Sequence, residues 1–310
     1  MRTGILITSV GTTAPNAIDQ LVEQAATAAA GGVGAVWLPQ LLDVDALTAL
    51  AVIGREVPEL ALGTAVVPTF PRHPLALASQ ALTTQAAVHG RLHLGIGLSH
   101  RHVIEDRFGL RFDRPVAHLR EYLTVLLSVL RTGTAELQGD LLSASTGPWS
   151  ATVAGASPPP PVLVAALGPQ LLRLTGELAD GTVTWMVGPK TLEQHIVPTI
   201  TAAADAAGRP APRIVVGVTV CVTHAIGAAR DRHGPMFHTY QNIPSYRAML
   251  DREGASAVDL AIIGDEESVA TQLARLADLG ATEIVATGVF GSPQEQDRTW
   301  KLLGALHTSC

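Results

Sequence analysis

Charge, sulfur and aromatic rings are all scarce in this chain of 310 residues. Its two cysteines, Cys221 and Cys310, are too few for a disulfide framework or a thiolate metal cluster. Cys221 falls in an apolar strand pattern and reads as a packed thiol. Charged residues make up 15% of the chain and the net charge is −6. The few arginines are scattered, which argues against nucleic acid as a partner. No apolar run approaches the ~20 residues that cross a membrane. The run Ile5 to Val10 is too short for a signal-peptide core and reads as a first strand. These absences lead to the expectation of a cytoplasmic protein acting on a small molecule, with no membrane, nucleic-acid or metal partner. What the chain does have is apolar residues, at 47%. They suffice for a large core and leave a surface that an oligomer would partly cover.

Short β-branched runs alternate with helical patterns along the whole chain. Candidate strands cover residues 3–10, 35–39, 61–67, 92–98, 162–166, 181–185, 214–222 and 283–287. Helical patterns cover 17–30, 44–56, 75–88, 115–131, 169–178, 191–207, 225–241 and 266–279. This alternation predicts an α/β fold, a (β/α)8 TIM barrel formed as one domain over residues 1–310. A doubly wound open sheet is the alternative. A further run, 258–263, is expected outside the barrel because Asp259 interrupts it and Gly264-Asp265-Glu266 then starts a helix. Residues 132–161, with four consecutive prolines at Pro158–Pro161, read as an insertion over the C-terminal face, either a spacer or a lid.

The residues with chemical potential gather at strand ends, where barrels bind ligands. The fourth strand ends in Gly95-Ile96-Gly97-Leu98-Ser99-His100, where glycines admit a flat ligand or another backbone. It lacks the third glycine and the acid of a dinucleotide fingerprint. The fifth strand runs through Ala166-Leu167-Gly168-Pro169 into a helix whose first amides would face an anion such as phosphate. Trp37 and Trp185, at the ends of the second and sixth strands, either wall a pocket or pack at the rim. Arg120 and Glu121 read as a structural charged pair.

Several segments occur in a telling order: Trp37-Leu38-Pro39-Gln40, Gly63-Thr64-Ala65-Val66-Val67-Pro68, Arg72-His73-Pro74, Arg120-Glu121-Tyr122, Ala166-Leu167-Gly168-Pro169 and the run Ala179 to Met186. With Gly208-Arg209-Pro210 and Pro244-Ser245-Tyr246-Arg247, they make the chain resemble the actinobacterial deazaflavin (coenzyme F420)-dependent branch of the luciferase-like monooxygenase superfamily. The resemblance implies a TIM barrel, a homodimer, and F420 in the barrel mouth, with FMN as the alternative cofactor. It also implies a cis peptide at Ala65–Val66 against the back of the deazaflavin. Gly97 and Ser99 match positions lining the ring and its side chain, and Leu167, Gly168 and Pro169 match the turn that takes the phosphate region. Gln40, Val67, Ala166 and Trp185 complete the implied cofactor set.

In one respect the chain departs from its sugar-phosphate dehydrogenase relatives, which place an acid and a histidine after the second strand and a glutamate after the fourth. This chain has Gln40-Leu41 and His100 there. Without that base, alcohol oxidation gives way to an F420H2-dependent reductase acting on an activated C=C or C=N bond of a small organic metabolite. His100 is the candidate proton donor, with His102, His238 and Tyr240 as weaker candidates. An FMN-dependent monooxygenase and a non-catalytic cofactor-binding barrel are the alternatives.

Overall fold

The computed structural model describes residues 1–307, the side chain of Met236 excepted; Cys310 lies outside them. Strand β1 (Arg2–Leu6) leads to α1 (Ala17–Ala30), then β2 (Ala35–Leu38), α2 (Ala46–Glu56), β3 (Ala61–Thr64) and α3 (Pro74–Ala87). Next come β4 (Leu92–Gly97), a short α4 (Arg101–Asp106), α5 (Pro115–Thr132), β5 (Val162–Val164), α6 (Pro169–Leu178) and β6 (Gly181–Thr184). A π-helical turn (Leu192–Ile196) feeds α7 (Val197–Ala206), followed by β7 (Arg213–Val222), α8 (Ile226–Tyr240), α9 (Pro244–Glu253), α10 (Glu266–Asp278), β8 (Glu283–Thr287) and α11 (Pro293–Leu306). All neighbouring strands pair in parallel. β1 pairs with both β2 and β8, and β7 with both β6 and β8, so the sheet closes. The fold is the expected TIM barrel, not an open sheet.

Strand alternation sorts side chains into two layers. Leu62, Leu92, Val164, Val216 and Ile284 face outward, where helices cover them. Ala35, Trp37, Leu163, Val183, Val215 and Val285 fill the inside. Trp37 is the bulk of that filling and fits because Gly4 and Gly63 carry no side chain; a Cβ on Gly63 would collide with its six-membered ring. Its indole Nε1 donates to Glu283 Oε1 at 2.9 Å, and Arg213 Nη2 donates to Glu283 Oε2 at 2.9 Å. Burial beside Arg213 and Arg2 holds His93 down at about 3. This network plugs the N-terminal end, leaving ligands the opposite mouth. Trp37, fully buried, is thus neither pocket wall nor rim.

The helix expectations need three additions. α4, α9 and α11 were not foreseen, and two expected helices fall between β7 and β8. The run at 258–263 does lie outside the barrel: Ala257–Leu260 is a 3-10 turn, and Ile262–Gly264 pairs with the upper end of β7. Residues 223–261 thereby form a cap whose Phe237 and Leu250 pack with Cys221 of β7 and with Ile263 in a cluster separate from the main core. Cys221 is packed as expected, and burial pushes its thiol pKa up.

The insertion after the fourth strand is present but does not cover the C-terminal face. It forms a hairpin, Glu136–Gln138 with Ser143–Ser145, that lies along the flank of α5. The Glu121 carboxylate accepts from the amides of Asp140, Leu141 and Leu142, and Gln85 Nε2 donates to Pro158 O at 2.7 Å. Arg120 reaches instead to Glu177 at 2.7 Å, so the Arg120-Glu121 charges are structural but do not pair with each other. Cover over the mouth comes from residues 99–114 and from the cap.

Candidate active site

A cavity of about 1230 Å³ opens at the C-terminal ends of the strands. One side of it is a ledge. After β3 the chain makes a cis peptide between Ala65 and Val66, then rejoins β4 through Val67–Pro68. Thr64 anchors the turn, its Oγ1 donating to Gly95 O at 2.7 Å and accepting from Gly95 N at 2.9 Å. The two glycines of β4 serve that ledge: a Cβ on Gly95 would strike Thr64 O, and one on Gly97 would sit 2.7 Å from Val66 Cγ2. They admit a neighbouring backbone and the Val66 side chain. Ser99 follows in the left-handed region, φ 61°, and lines the cavity.

Gly168 at the end of β5 has a different reason to be glycine. Its φ of −73° suits any residue, and a Cβ there would meet nothing within 4 Å. Neither backbone nor packing requires the missing side chain; the room opens into the cavity that Gly168 lines. Gly168 caps α6 with no side-chain acceptor, and Pro169 has no N–H, so the amides of Gln170 and Leu171 lack intrahelical partners. Leu167 O is fixed by buried His195, whose Nε2 lies 2.8 Å away.

Ala65, Val66, Gly97, Ser99, Leu167, Gly168, Trp185 and His100 all line the cavity. Val67 and Ala166 do not; both are fully buried behind the wall. Pro169 shapes the turn from outside the lining. Gln40 lines the mouth with its amide occupied, accepting from Ala46 N at 2.9 Å and donating to Leu41 O and Val44 O. His238 is away from the cavity, beside Gln241 at 2.7 Å. Sequence reasoning missed Ala165, Asp43, Phe108, Phe112 and Tyr246, which the structure brings into the lining.

His100 precedes α4, stacks on His102 with ring centres 5.9 Å apart, and meets the edge of Tyr246 at 5.4 Å. Burial first, and His102 second, lower its pKa from 6.5, so the ring is neutral at neutral pH. The phenols of Tyr240 and Tyr246 keep their protons because burial raises both pKa values. Asp43 is the one carboxylate in the lining among the described residues, and Ser9 Oγ donates to it at 2.7 Å. That bond holds its pKa below 3.8, which makes it a weak base. No three His, Cys, Asp or Glu side chains group for a metal ion, and no helix is long and apolar enough to cross a membrane, among the described residues.

This mouth, with its cis ledge and bare helix start, is borne by a chain whose residues 1–283 match the luciferase-like monooxygenase family model. The chain belongs to that family. A protein of Mycobacterium tuberculosis, provisionally named a coenzyme F420-dependent oxidoreductase, is 29% identical over 208 residues, 61% of this chain and 57% of its own length. Among solved structures, the coenzyme F420-dependent tetrahydromethanopterin reductase of Methanopyrus kandleri superposes with TM-score 0.77 at 19% identity, covering 98% of this chain and 97% of its own. The oxygenating constituent of 3,6-diketocamphane monooxygenase of Pseudomonas putida, in complex with FMN, superposes with TM-score 0.78 at 17% identity, covering 99% and 98%. These relatives are oxidoreductases; at such identities the two structures attest the fold alone.

Proposed function

We propose that the protein is an F420H2-dependent reductase that delivers a hydride to an activated C=C or C=N bond of a small organic metabolite. The observation that carries this reading is the carboxylate-poor mouth: a ledge at Ala65–Val66, open room at Gly168, and, among the described residues, no carboxylate but Asp43 in the lining. Asp43, held below the usual carboxylate range by Ser9, is a weak base for an alcohol's hydroxyl proton, which leaves the His100 imidazole as the group that would exchange a proton with the substrate. When bound, reduced F420 supplies the hydride.

The protein's own residues would hold that cofactor and manage the proton. The free amides of Gln170 and Leu171, at the positive end of the ten-residue helix α6, suit its phosphate. The Ala65–Val66 ledge would back the ring, with Gly97 and Ala165 beside it and Ser99 toward its side chain. His100 stands at the rim, where the protonated fraction of its ring, small at neutral pH and growing as pH falls, would hand a proton to the reduced substrate, aided by the protonated phenols of Tyr240 and Tyr246. Phe108 and Phe112 from the segment after β4 exclude water.

Titrating the purified protein with F420 and with FMN, followed by tryptophan quenching, tests the assignment. F420 binding more tightly is the expected result. Tighter FMN binding, or purification as a yellow flavoprotein, would replace the reading with an FMN-dependent monooxygenase. F420 binding with no turnover of any activated olefin or imine would leave a cofactor-binding barrel. The same reading takes the protein as a cytoplasmic homodimer, checked by sedimentation and by localisation of a tagged chain.

A further inference from the structure

We propose that the mouth takes a substrate with an apolar body and one carboxylate, and that Arg107, at the end of α4, receives that carboxylate with Arg101 beside it. That the carboxylate belongs to the molecule being reduced rests on the reductase reading; that the mouth binds an apolar-bodied carboxylate does not.

The short helix α4 sets the geometry. His100, Val103 and Arg107 recur at helical spacing and all line the cavity, so one face of the helix looks into the mouth. Ile104, fully buried, pins the adjoining face to the barrel. A rise of ~1.5 Å per residue puts ~10 Å between the His100 and Arg107 backbones. The candidate proton donor and the anion receiver thus stand at opposite ends of one helix, and a ligand that spans them needs a body in between.

Histidines and tyrosines apart, the ionisable side chains lining the cavity among the described residues are Asp43, Arg101 and Arg107. Asp43 comes from the loop after β2, two strands from β4, and it accepts from Ser9 Oγ. It repels an anion toward the α4 side. Arg101 Nη1 holds Glu105 at 2.6 Å, and its guanidinium carbon lies 5.1 Å from the centre of the Phe112 ring, so it is oriented but already paired. Arg107 is exposed to the open mouth, and its side chain makes no hydrogen bond or ion pair among the described residues. Glu105 and Asp106, the acids of α4, do not line the cavity. One unpaired guanidinium is a planar fork of donors matched to one carboxylate. A dianion would meet a single free counter-charge and Asp43 across the mouth.

The remainder of the mouth asks for an apolar body. Of the ten large apolar side chains that stand exposed among the described residues, Val10, Leu41, Leu42 and Phe108 all line this cavity. Exposed apolar groups gathered at one opening mark a ligand surface, whereas scattered ones would not. At about 1230 Å³ the space exceeds the ~300–1,000 Å³ usual for one small ligand, which leaves room for a substrate beside a cofactor.

The test uses the purified protein without cofactor and three probes of one shape: 4-phenylbutyrate, its neutral amide 4-phenylbutanamide, and the cation 4-phenylbutylamine. By calorimetry, phenylbutyrate should bind wild type about tenfold more tightly than the amide at low salt, the effect of one charge-assisted fork, and the margin should shrink as salt rises. Arg107→Met, which keeps an unbranched stem, should abolish the preference and leave the amide's affinity unchanged; Arg107→Lys should keep part of it. Arg107 has no side-chain partner to lose, so neither variant threatens the fold. Equal affinity of acid and amide, a preference that survives in Arg107→Met, tighter binding of the amine, or no binding of any probe at millimolar concentration overturns the subsite. F420, whose tail carries carboxylates of its own, is titrated separately. Unchanged F420 affinity in Arg107→Met assigns the arginine to the substrate; a loss as large as the probe's assigns it to the cofactor tail and overturns the proposal. A protein that binds phenylbutyrate as expected and no F420 keeps the carboxylate subsite and loses the reductase reading.

Discussion

Replacing Gly168 by aspartate should make the protein no less stable and a poorer binder of its cofactor. A Cβ at this position meets nothing within 4 Å, and φ −73°, ψ 152° is ordinary extended backbone, so the substitution strains nothing. Aspartate is a preferred N-cap, able to accept from the amides two and three residues on, and its charge suits a helix start. Those effects stabilise α6 by about 0.3–1 kcal/mol. The same carboxylate would occupy the Gln170 and Leu171 amides and stand beside an incoming phosphate. Like charges ~5 Å apart at an effective dielectric of ~20–40 repel by about 1.5–3 kcal/mol. F420 affinity should therefore fall roughly 10- to 150-fold, measured by quenching titration, while the melting temperature holds or rises. Gly168→Ala separates the causes, since it adds a Cβ into open space without charge and should leave affinity near wild type. An aspartate variant that binds within threefold of wild type would place the phosphate elsewhere and remove the support that this turn lends to F420.

Three further outcomes follow from the proton and charge inventory. If protonated His100 is the donor, kcat/KM should fall as pH rises through its lowered pKa, below 6.5, and that limb should be missing in His100→Gln; full activity with an unchanged profile in the variant would excuse His100 from proton transfer. Glu283→Gln would weaken the partner of half-buried Arg213 and buried Trp37 Nε1, so stability should drop by about 1.5–3 kcal/mol in urea unfolding, the usual worth of a hydrogen bond to a charged group; a loss under 0.5 kcal/mol would mean the plug relaxes or hydrates, on the order of what a solvated pair contributes. His93 titrates at about 3 folded and at its usual 6.5 unfolded, so between those values the unfolded state holds the extra proton. Its stabilising effect is whole above 6.5 and fades as pH falls toward 3, by up to ~1.4 kcal/mol per pH unit, and His93→Gln should flatten that slope.

Much of the barrel was legible because its signals are local. β-branched runs of strand length and prolines at helix starts mark β4, β5 and α6 without any knowledge of tertiary contacts. The Ala65–Val66 cis bond came from resemblance instead, since no periodicity distinguishes a cis from a trans bond between two small apolar residues. Val67 and Ala166 show the limit of carrying roles over by position. In an alternating strand, neighbours of lining residues face the opposite way, and these two point into the helix layer. Trp37 misled for a related reason. It sits near a strand end, but whether that end opens or closes depends on Gly4, Gly63 and Glu283, which arrive from β1, β3 and β8.

The cap was the least legible part, and its chemistry explains why. α8 carries no steady apolar stripe, since its sequence runs through Arg230, Arg232, His233 and an internal Pro235. α9 is mostly polar, and only Met249 and Leu250 are buried on it. Such helices owe their place to tertiary partners: His233 bridges Ala229 O at 2.7 Å and Val289 N at 2.8 Å, and Arg232 reaches Glu295. The insertion at 132–161 drew attention by composition, yet a proline run is equally at home on a barrel's flank, where Gln85 and Glu121 hold it. Composition marks where a chain leaves regular structure and says nothing of the direction in which it leaves. Tyr240, a weaker proton-donor candidate, and Tyr246, within a segment that carries the resemblance, are the cap's contribution to the mouth, and nothing in their polar surroundings marks them as a wall. They become a wall only when β6 brings Trp185 beneath them, so that part of the site exists as a contact between elements and not as a motif.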